Sequence, residues 1–213
     1  MEELKETYPK WLKGNDYYWG YVEYALQKKF ARHKAKVVIN NERLLMIDWQ
    51  KENGGSDYEV HYILDKEKGT FTLYGDLGEA TACWYHRVEL KDLLSYLYSR
   101  EYFIEKITAG EKYKYDPLAC EEEIREQMKE VIDEYEADGE DTEEALEDLE
   151  EMVSLCDEYG EYVYGNERFE ELRDKYLPDQ YEFGKIVSSR VYLWVLGFFM
   201  ACDDAGLMKY AEK

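Results

Sequence analysis

The sequence predicts an α+β protein: an antiparallel β-meander of about five strands packed against helices, with an acidic helical insertion. Three observations predict it. Five short runs with a period of two lie between residues 35 and 85, runs with a helical period flank them, and nearly all the net charge falls within residues 121–182. Strands gathered in one block with helices outside it make an α+β arrangement, not an alternating α/β one.

The elements follow in chain order. Asn15 or Asp16 is placed to cap a helix reaching about His33, with Trp19, Val22, Leu26 and Phe30 near a helical period. Its basic end, with Lys28, Lys29, Arg32, Lys34 and Lys36, suits the negative pole of a helix dipole. The runs AKVVIN, RLLMIDWQ, YEVHYILD, TFTLYG and ATACWY then carry β-branched and aromatic residues. Turn formers separate them at residues 40–41, 53–57, 66–69 and 76–78. Connections this short join only antiparallel neighbours. In the third run Tyr58, Val60, Tyr62 and Leu64 share one face, while Glu59, His61 and Asp65 share the other. One face of the meander is therefore expected to be buried. VELKDLLSYLYSREYFIEKI supplies one or two helices after the strands. IVSSRVYLWVLGFFMACDDAG supplies the last helix, apolar nearly all round, as the main cover of the sheet with Gly206 as its C-terminal cap.

The net charge of −22 sits in one place. Residues 121–182 hold 26 acids and 5 bases, whereas the remainder holds 23 acids and 22 bases. This divides the chain into a body, residues 1–120 and 183–213, and an acidic insertion, residues 121–182. Within the insertion Ile124, Met128, Val131 and Tyr135 keep helical spacing, and Leu146, Leu149, Val153 and Cys156 do so again after an ADGED turn. An amphipathic helical hairpin accounts for both runs better than a disordered acidic tail does. A further helix over residues 166–176 is expected to stop near Pro178.

Composition bounds the class. At 213 residues and 45% apolar content the chain is long and apolar enough to bury a core. Four scattered cysteines, Cys83, Cys120, Cys156 and Cys202, offer neither a disulfide framework nor a zinc site, and read as a reducing cytoplasm. The charged N-terminus lacks the apolar stretch of a signal peptide, and the longest apolar run, residues 191–202, is too short to span a bilayer. A soluble cytoplasmic protein is expected.

The features Ser56-Asp57-Tyr58, Ile63-Leu64-Asp65, Gly75-Asp76-Leu77-Gly78, Ala82 with Trp84-Tyr85, and RVYLWVLGFFMA at 190–201 carry a resemblance. Over roughly residues 30–115 and 185–207 the sequence resembles uncharacterised proteins carried by phages and conjugative elements of Gram-positive gut bacteria. The resemblance implies a mobile-element setting inside a bacterial host and a conflict with host defence, of the anti-CRISPR or anti-restriction kind. It carries over no catalytic residue.

Specific catalytic motifs are missing. There is no HExxH, no G-x-S-x-G and no P-loop signature. Cys83 and His86 form a C-x-x-H, but strand geometry sends such a pair to opposite faces. EYEADGEDTEEA puts Glu134, Glu136, Asp138 and Gly139 where a calcium loop wants them, yet Ala145 stands in place of the bidentate glutamate. No cofactor or dedicated metal is expected. Two alternatives remain open: a hydrolase using Asp76, Glu79 or His86, and a small-molecule or nucleotide-binding module on the sheet face.

The acidic hairpin gives the stronger signal. Like charges recur four residues apart at Glu126/Glu130/Glu134 and Glu143/Glu147/Glu151. Each such pair costs a helix roughly 0.2–0.5 kcal/mol. A wholly helical stretch of this length would carry one acid per roughly 3.6 Å, against a phosphate every 3.4 Å along one DNA strand. The expectation is a non-enzymatic inhibitor that imitates nucleic acid. Its partner-binding residues are Glu134, Glu136, Asp138, Glu140, Asp141, Glu143, Glu144, Glu147, Asp148, Glu150 and Glu151. Its partner is a host protein with a basic nucleic-acid-binding groove, a defence nuclease, with no direct binding to nucleic acid or membrane. The 22 tyrosines, among them Tyr17, Tyr18, Tyr113, Tyr115, Tyr159, Tyr162 and Tyr164, offer further contact area.

Overall fold

The computed structural model describes residues 4–14, 16–139, 141–159, 165–180 and 182–210. Asn15, Glu140, Tyr162 and Tyr164 lie outside these residues, as do the side chains of Tyr17 and Tyr159. By internal contacts the chain forms two compact units, residues 1–112 with 188–213, and residues 113–187.

The first unit is α+β. After α1 (Asp16–Tyr24) the chain widens into a π-helical turn, Ala25–Lys29. Six strands follow the order β1-β2-β3-β4-β5-β6, each antiparallel to the next: β1 (His33–Asn40), β2 (Leu44–Lys51), β3 (Val60–Asp65), β4 (Thr70–Gly75), β5 (Gly78–Cys83) and β6 (Ile107–Gly110). Between β5 and β6 come α2 (Leu90–Leu97) and α3 (Arg100–Lys106). The sixth strand departs from the sequence reading, which carried the helix through Ile107. Ser99 caps α3 by accepting from the Tyr102 N–H, and the run ITAG then leaves the helix to pair with β5. Four residues are too few for a period of two to stand out against the helical run before them.

Alternation decides which face of the sheet is buried. Leu45, Ile47 and Trp49, then Val60, Tyr62 and Leu64, then Phe71 and Leu73 all point inward. The helix α7 (Ser189–Asp204) covers them. Tyr62 donates its hydroxyl proton to the Trp194 carbonyl at 3.0 Å, and the Trp194 indole N–H donates to the Leu77 carbonyl at 2.9 Å. A side chain at Gly197 would come within 2.5 Å of the Tyr62 hydroxyl, so only glycine lets the helix approach this closely. Gly206 adopts a left-handed φ of 66° just beyond α7, and the Leu207 N–H returns to the Cys202 carbonyl at 2.8 Å. This is the cap that the sequence placed there.

The second unit has its own core. β7 (Tyr113–Tyr115) and β8 (Lys185–Val187) form a two-stranded antiparallel ribbon. Asp116 caps α4 (Pro117–Asp138), accepting from the N–H groups of Leu118 and Ala119, and Pro117 opens the first turn. Gly139, at φ 76°, ends it. Then come α5 (Glu143–Tyr159) and α6 (Glu167–Tyr176), the latter capped by Asn166. Ile124, Met128, Ile132, Leu149, Met152 and Phe169 are among the buried residues that hold the helices together. One core assignment is corrected: Leu146 is 48% exposed, and Ala145 takes the inward position. Tyr18, placed by the sequence among the exposed tyrosines, is buried and stacked on Tyr192 at 4.2 Å. Among the described residues no helix is long and apolar enough to cross a membrane.

Candidate functional site

The packing of α4, α5 and α6 sorts the carboxylates of the second unit into two groups. One group is consumed internally. Arg125 on α4 bonds Glu121 at 2.9 Å and reaches across to Glu150 on α5 at 2.8 Å. Arg168 on α6 bonds Glu151 at 2.7 Å and Asp148 at 3.3 Å, both on α5. Lys175, also on α6, bonds Glu144 at 2.6 Å and Asp148 at 2.9 Å. Arg168 also meets Glu171 on its own helix at 3.5 Å, so each of these three cations joins two or more carboxylates.

Asp148 is the centre of this arrangement, with only 8% of its surface exposed. Besides Lys175 and Arg168, the Tyr176 hydroxyl donates to it at 2.8 Å. Burial by itself raises its pKa, but the bonds from Lys175 and Tyr176 and the nearby positive charges outweigh that and hold it below the usual carboxylate range. The Arg125 and Arg168 guanidiniums likewise lower the pKa values of Glu150 and Glu151.

The second group faces water. Along α4, Glu122, Glu126, Glu130, Asp133, Glu134 and Glu136 are exposed, and Asp138 follows at the helix end. From Glu122 to Glu136 the row spans about 21 Å at the α-helical rise. On α5, Glu143 and Glu147 are exposed in the same way. Among the described residues these nine side chains have no hydrogen-bond or ion-pair partner. Lys129 is the one cation set into the α4 row. The result is a ridge of unpaired negative charge.

The residues singled out from the sequence therefore divide. Glu134, Glu136, Asp138, Glu143 and Glu147 belong to the ridge. Glu144, Asp148, Glu150 and Glu151 hold the helices together. Asp141 accepts from the Glu143 N–H at 3.0 Å and so serves the start of α5. The choice of residues missed Glu122, Glu126, Glu130 and Asp133, though the spacing of four through Glu126, Glu130 and Glu134 marked that face. The calcium-like stretch is helical through Asp138, so its carboxylates radiate from a helix where a binding loop would turn them inward.

The hydrolase candidates do not come together. Asp76 accepts from the Tyr58 N–H at 3.0 Å in the β4–β5 turn, and Glu79 stands beside that turn. His86 lies three residues beyond the far end of β5, and the strand from Glu79 to Cys83 alone spans roughly 13 Å. His86 bonds the Trp84 carbonyl at 2.7 Å and the Tyr96 hydroxyl at 3.4 Å. The sheet face opposite α7 instead carries Asp48, His61 and Tyr74 in one cross-strand row. His61 lies between Asp48 at 2.7 Å and Glu59 at 3.1 Å and stacks on Tyr74 at 4.6 Å. Both of its nitrogens are thereby occupied. Among the described residues no group of three or more His, Cys, Asp or Glu is arranged to hold a metal ion.

Fold and site together define an α+β protein that carries a separately cored acidic unit. The chain belongs to a phage family, whose model matches residues 21–199 and so runs through both units. No curated protein and no solved structure matches it.

Proposed function

We propose that this phage-family protein is a non-enzymatic inhibitor whose acidic unit occupies a basic nucleic-acid-binding groove on a host protein, a defence nuclease, in the manner of anti-restriction or anti-CRISPR proteins. The observation that carries the reading is the unpaired ridge. The paired cations of the unit meet Glu144, Asp148, Glu150 and Glu151 between helices and Glu121, Glu171, Asp174 and Glu182 locally, leaving Glu122, Glu126, Glu130, Asp133, Glu134, Glu136, Asp138, Glu143 and Glu147 with their charges unmatched. Like charges four apart destabilise a helix, and a face that is only solvated does as well with mixed signs. A cationic groove shaped for phosphates supplies the missing counter-charge.

The test is capture from a bacterial host lysate with the intact protein and with a variant carrying Gln at Glu126, Glu130, Glu134, Glu143 and Glu147. The intact protein is expected to retain a nucleic-acid-binding protein at about 0.1 M salt and release it at about 1 M, as the screening length falls from about 10 Å to 3 Å. Duplex DNA in excess should also release it, and the Gln variant should retain little. Retention that ignores salt, DNA and the Gln substitutions would sink the reading.

A further inference from the structure

Positive charge is gathered at one place in the first unit. A groove of about 1030 Å³ opens where the π-helical turn after α1 and the residues following it meet the end of β2 and its loop, lined by Lys28, Lys29, Arg32 and Lys51, with Gln27 and Asn53 beside them. Two carboxylates attend it: Glu52 in the lining, and Asp57, which accepts from Lys51 at 2.7 Å. The chain has 49 acidic residues, yet among the described residues Lys28, Lys29 and Arg32 have no ion-pair partner. In so acidic a protein, cations left unpaired in one concavity point to an anion from outside.

The backbone beside the groove is irregular on both sides. The π-helical turn over Ala25–Lys29 carries Lys28 and Lys29, and the Phe30 N–H closes it on the Ala25 carbonyl at 2.7 Å. Such turns are rare and recur at functional sites. Opposite it, Tyr58 holds a left-handed φ of 61°, a conformation that costs a non-glycine residue on the order of 1–3 kcal/mol. Two bonds maintain it: Asp76 accepts from its N–H at 3.0 Å, and the buried His33 Nε2 donates to its carbonyl at 3.2 Å. The Tyr58 ring lies 4.7 Å from the Lys29 ammonium, and the exposed Tyr24 ring lies 5.6 Å from it. Cations for phosphate thus stand next to aromatic faces suited to a planar base.

We propose that this groove binds a nucleoside polyphosphate, with its phosphates on Lys28, Arg32 and Lys51 and its base against the ring of Tyr24. The guanidinium fork of Arg32 matches a phosphate bidentately, and the two ammonium groups add charge without fixing direction. The volume suits a nucleotide, since small-molecule sites run to about 1,000 Å³. This site is independent of the acidic ridge, and it stands or falls without it.

Calorimetric titration of the full chain with ATP, inorganic pyrophosphate and a short oligothymidylate tests the assignment. ATP is expected to bind, and more tightly than pyrophosphate. A double variant, Lys28→Glu with Arg32→Glu, should weaken ATP binding by about tenfold or more, as loss of paired charges does. The backbone bond from the Glu52 N–H to the Arg32 carbonyl survives that change, so the variant should still melt cooperatively without ligand, at a temperature lowered only by the lost favourable charges at the helix end. Lys68→Glu, in the β3–β4 turn, should leave the affinity unchanged. Tyr24→Ala should weaken ATP and spare pyrophosphate. Failure of ATP to bind, or equal affinity in the double variant, overturns the proposal. An oligonucleotide that bound far more tightly than ATP would overturn it too, assigning the cations to a nucleic-acid backbone.

Discussion

The two units bury their cores under different charge regimes. Residues 113–187 hold 27 acids and 7 bases, while the rest of the chain holds 22 acids and 20 bases. In the near-neutral unit carboxylates meet cations mostly one to one, as Asp203 meets Lys5, Asp204 meets Lys34 and Glu111 meets Arg190. In the acidic unit Arg125, Arg168 and Lys175 are each shared among two or more carboxylates on different turns or helices. These three cations are thus spent where helices meet, and the surplus negative charge is left on the surface. Charge that holds the fold and charge available to a partner are different residues in the acidic unit.

Excision separates the two regimes most sharply. The Ser188 N–H donates to the Lys112 carbonyl at 3.0 Å, so removal of residues 113–187 leaves ends already side by side. With a short Gly/Ser link across them, the remaining unit is expected to melt cooperatively and to capture no partner. Aggregation of that protein would mean that its apolar surface needs the acidic unit, and the two could no longer be treated as separate folding units.

The next effect concerns single residues within the acidic unit. Asp148→Ala removes a buried acceptor from Lys175, Arg168 and Tyr176, and should cost about 3 kcal/mol in urea unfolding. Glu147→Ala, one residue away on the exposed side, should change stability by less than about 0.5 kcal/mol. Because the folded pKa of Asp148 is depressed, its contribution is present above the ordinary carboxylate range and fades as pH falls through the lowered value. Equal costs for the two substitutions would erase the distinction between structural and surface charge.

A smaller effect belongs to the near-neutral unit. Burial lowers the pKa of His33 below 6.5, and the charge of Lys51 acts in the same direction, against the bond to the Tyr58 carbonyl. Below 6.5 the unfolded chain takes up a proton that the folded imidazole refuses, so this term raises stability with pH and is fully present above 6.5. Urea midpoints should fall between about pH 7.5 and about pH 5, and His33→Gln should flatten that slope. A slope unchanged by the substitution would assign it to other groups.

The smallest effect is a gain. Changing Glu126, Glu130 and Glu134 together to Gln keeps helix propensity and removes two like-charge pairs, so the melting temperature should stay level or rise slightly. A clear loss of stability would show that these carboxylates have partners after all, and would take them out of the ridge.

Much of the fold was legible because its signals are local. β4 spans Thr70–Gly75, the same six residues as the run TFTLYG; Asn166 starts a helix, and Gly139 and Gly206 end helices, where their chemistry suggests. The acidic hairpin was legible for the same reason, since helical period and charge density are both read along the chain. The division of its carboxylates was not. Arg125 meets Glu150 across 25 residues and Arg168 meets Asp148 across 20, so only the packing of α4, α5 and α6 decides which acids are neutralised. The basic groove was half visible: the cluster of Lys28, Lys29 and Arg32 is plain in the sequence, where a helix dipole explains it. Lys51 and the ring of Tyr58 join that cluster only when β2 and its following loop fold back against the π-turn. By itself the sequence determined the period, the caps and the amount of charge, because each depends on neighbours a few residues away. Tertiary structure alone decided which charges are paired, because that depends on distances between residues far apart in the chain.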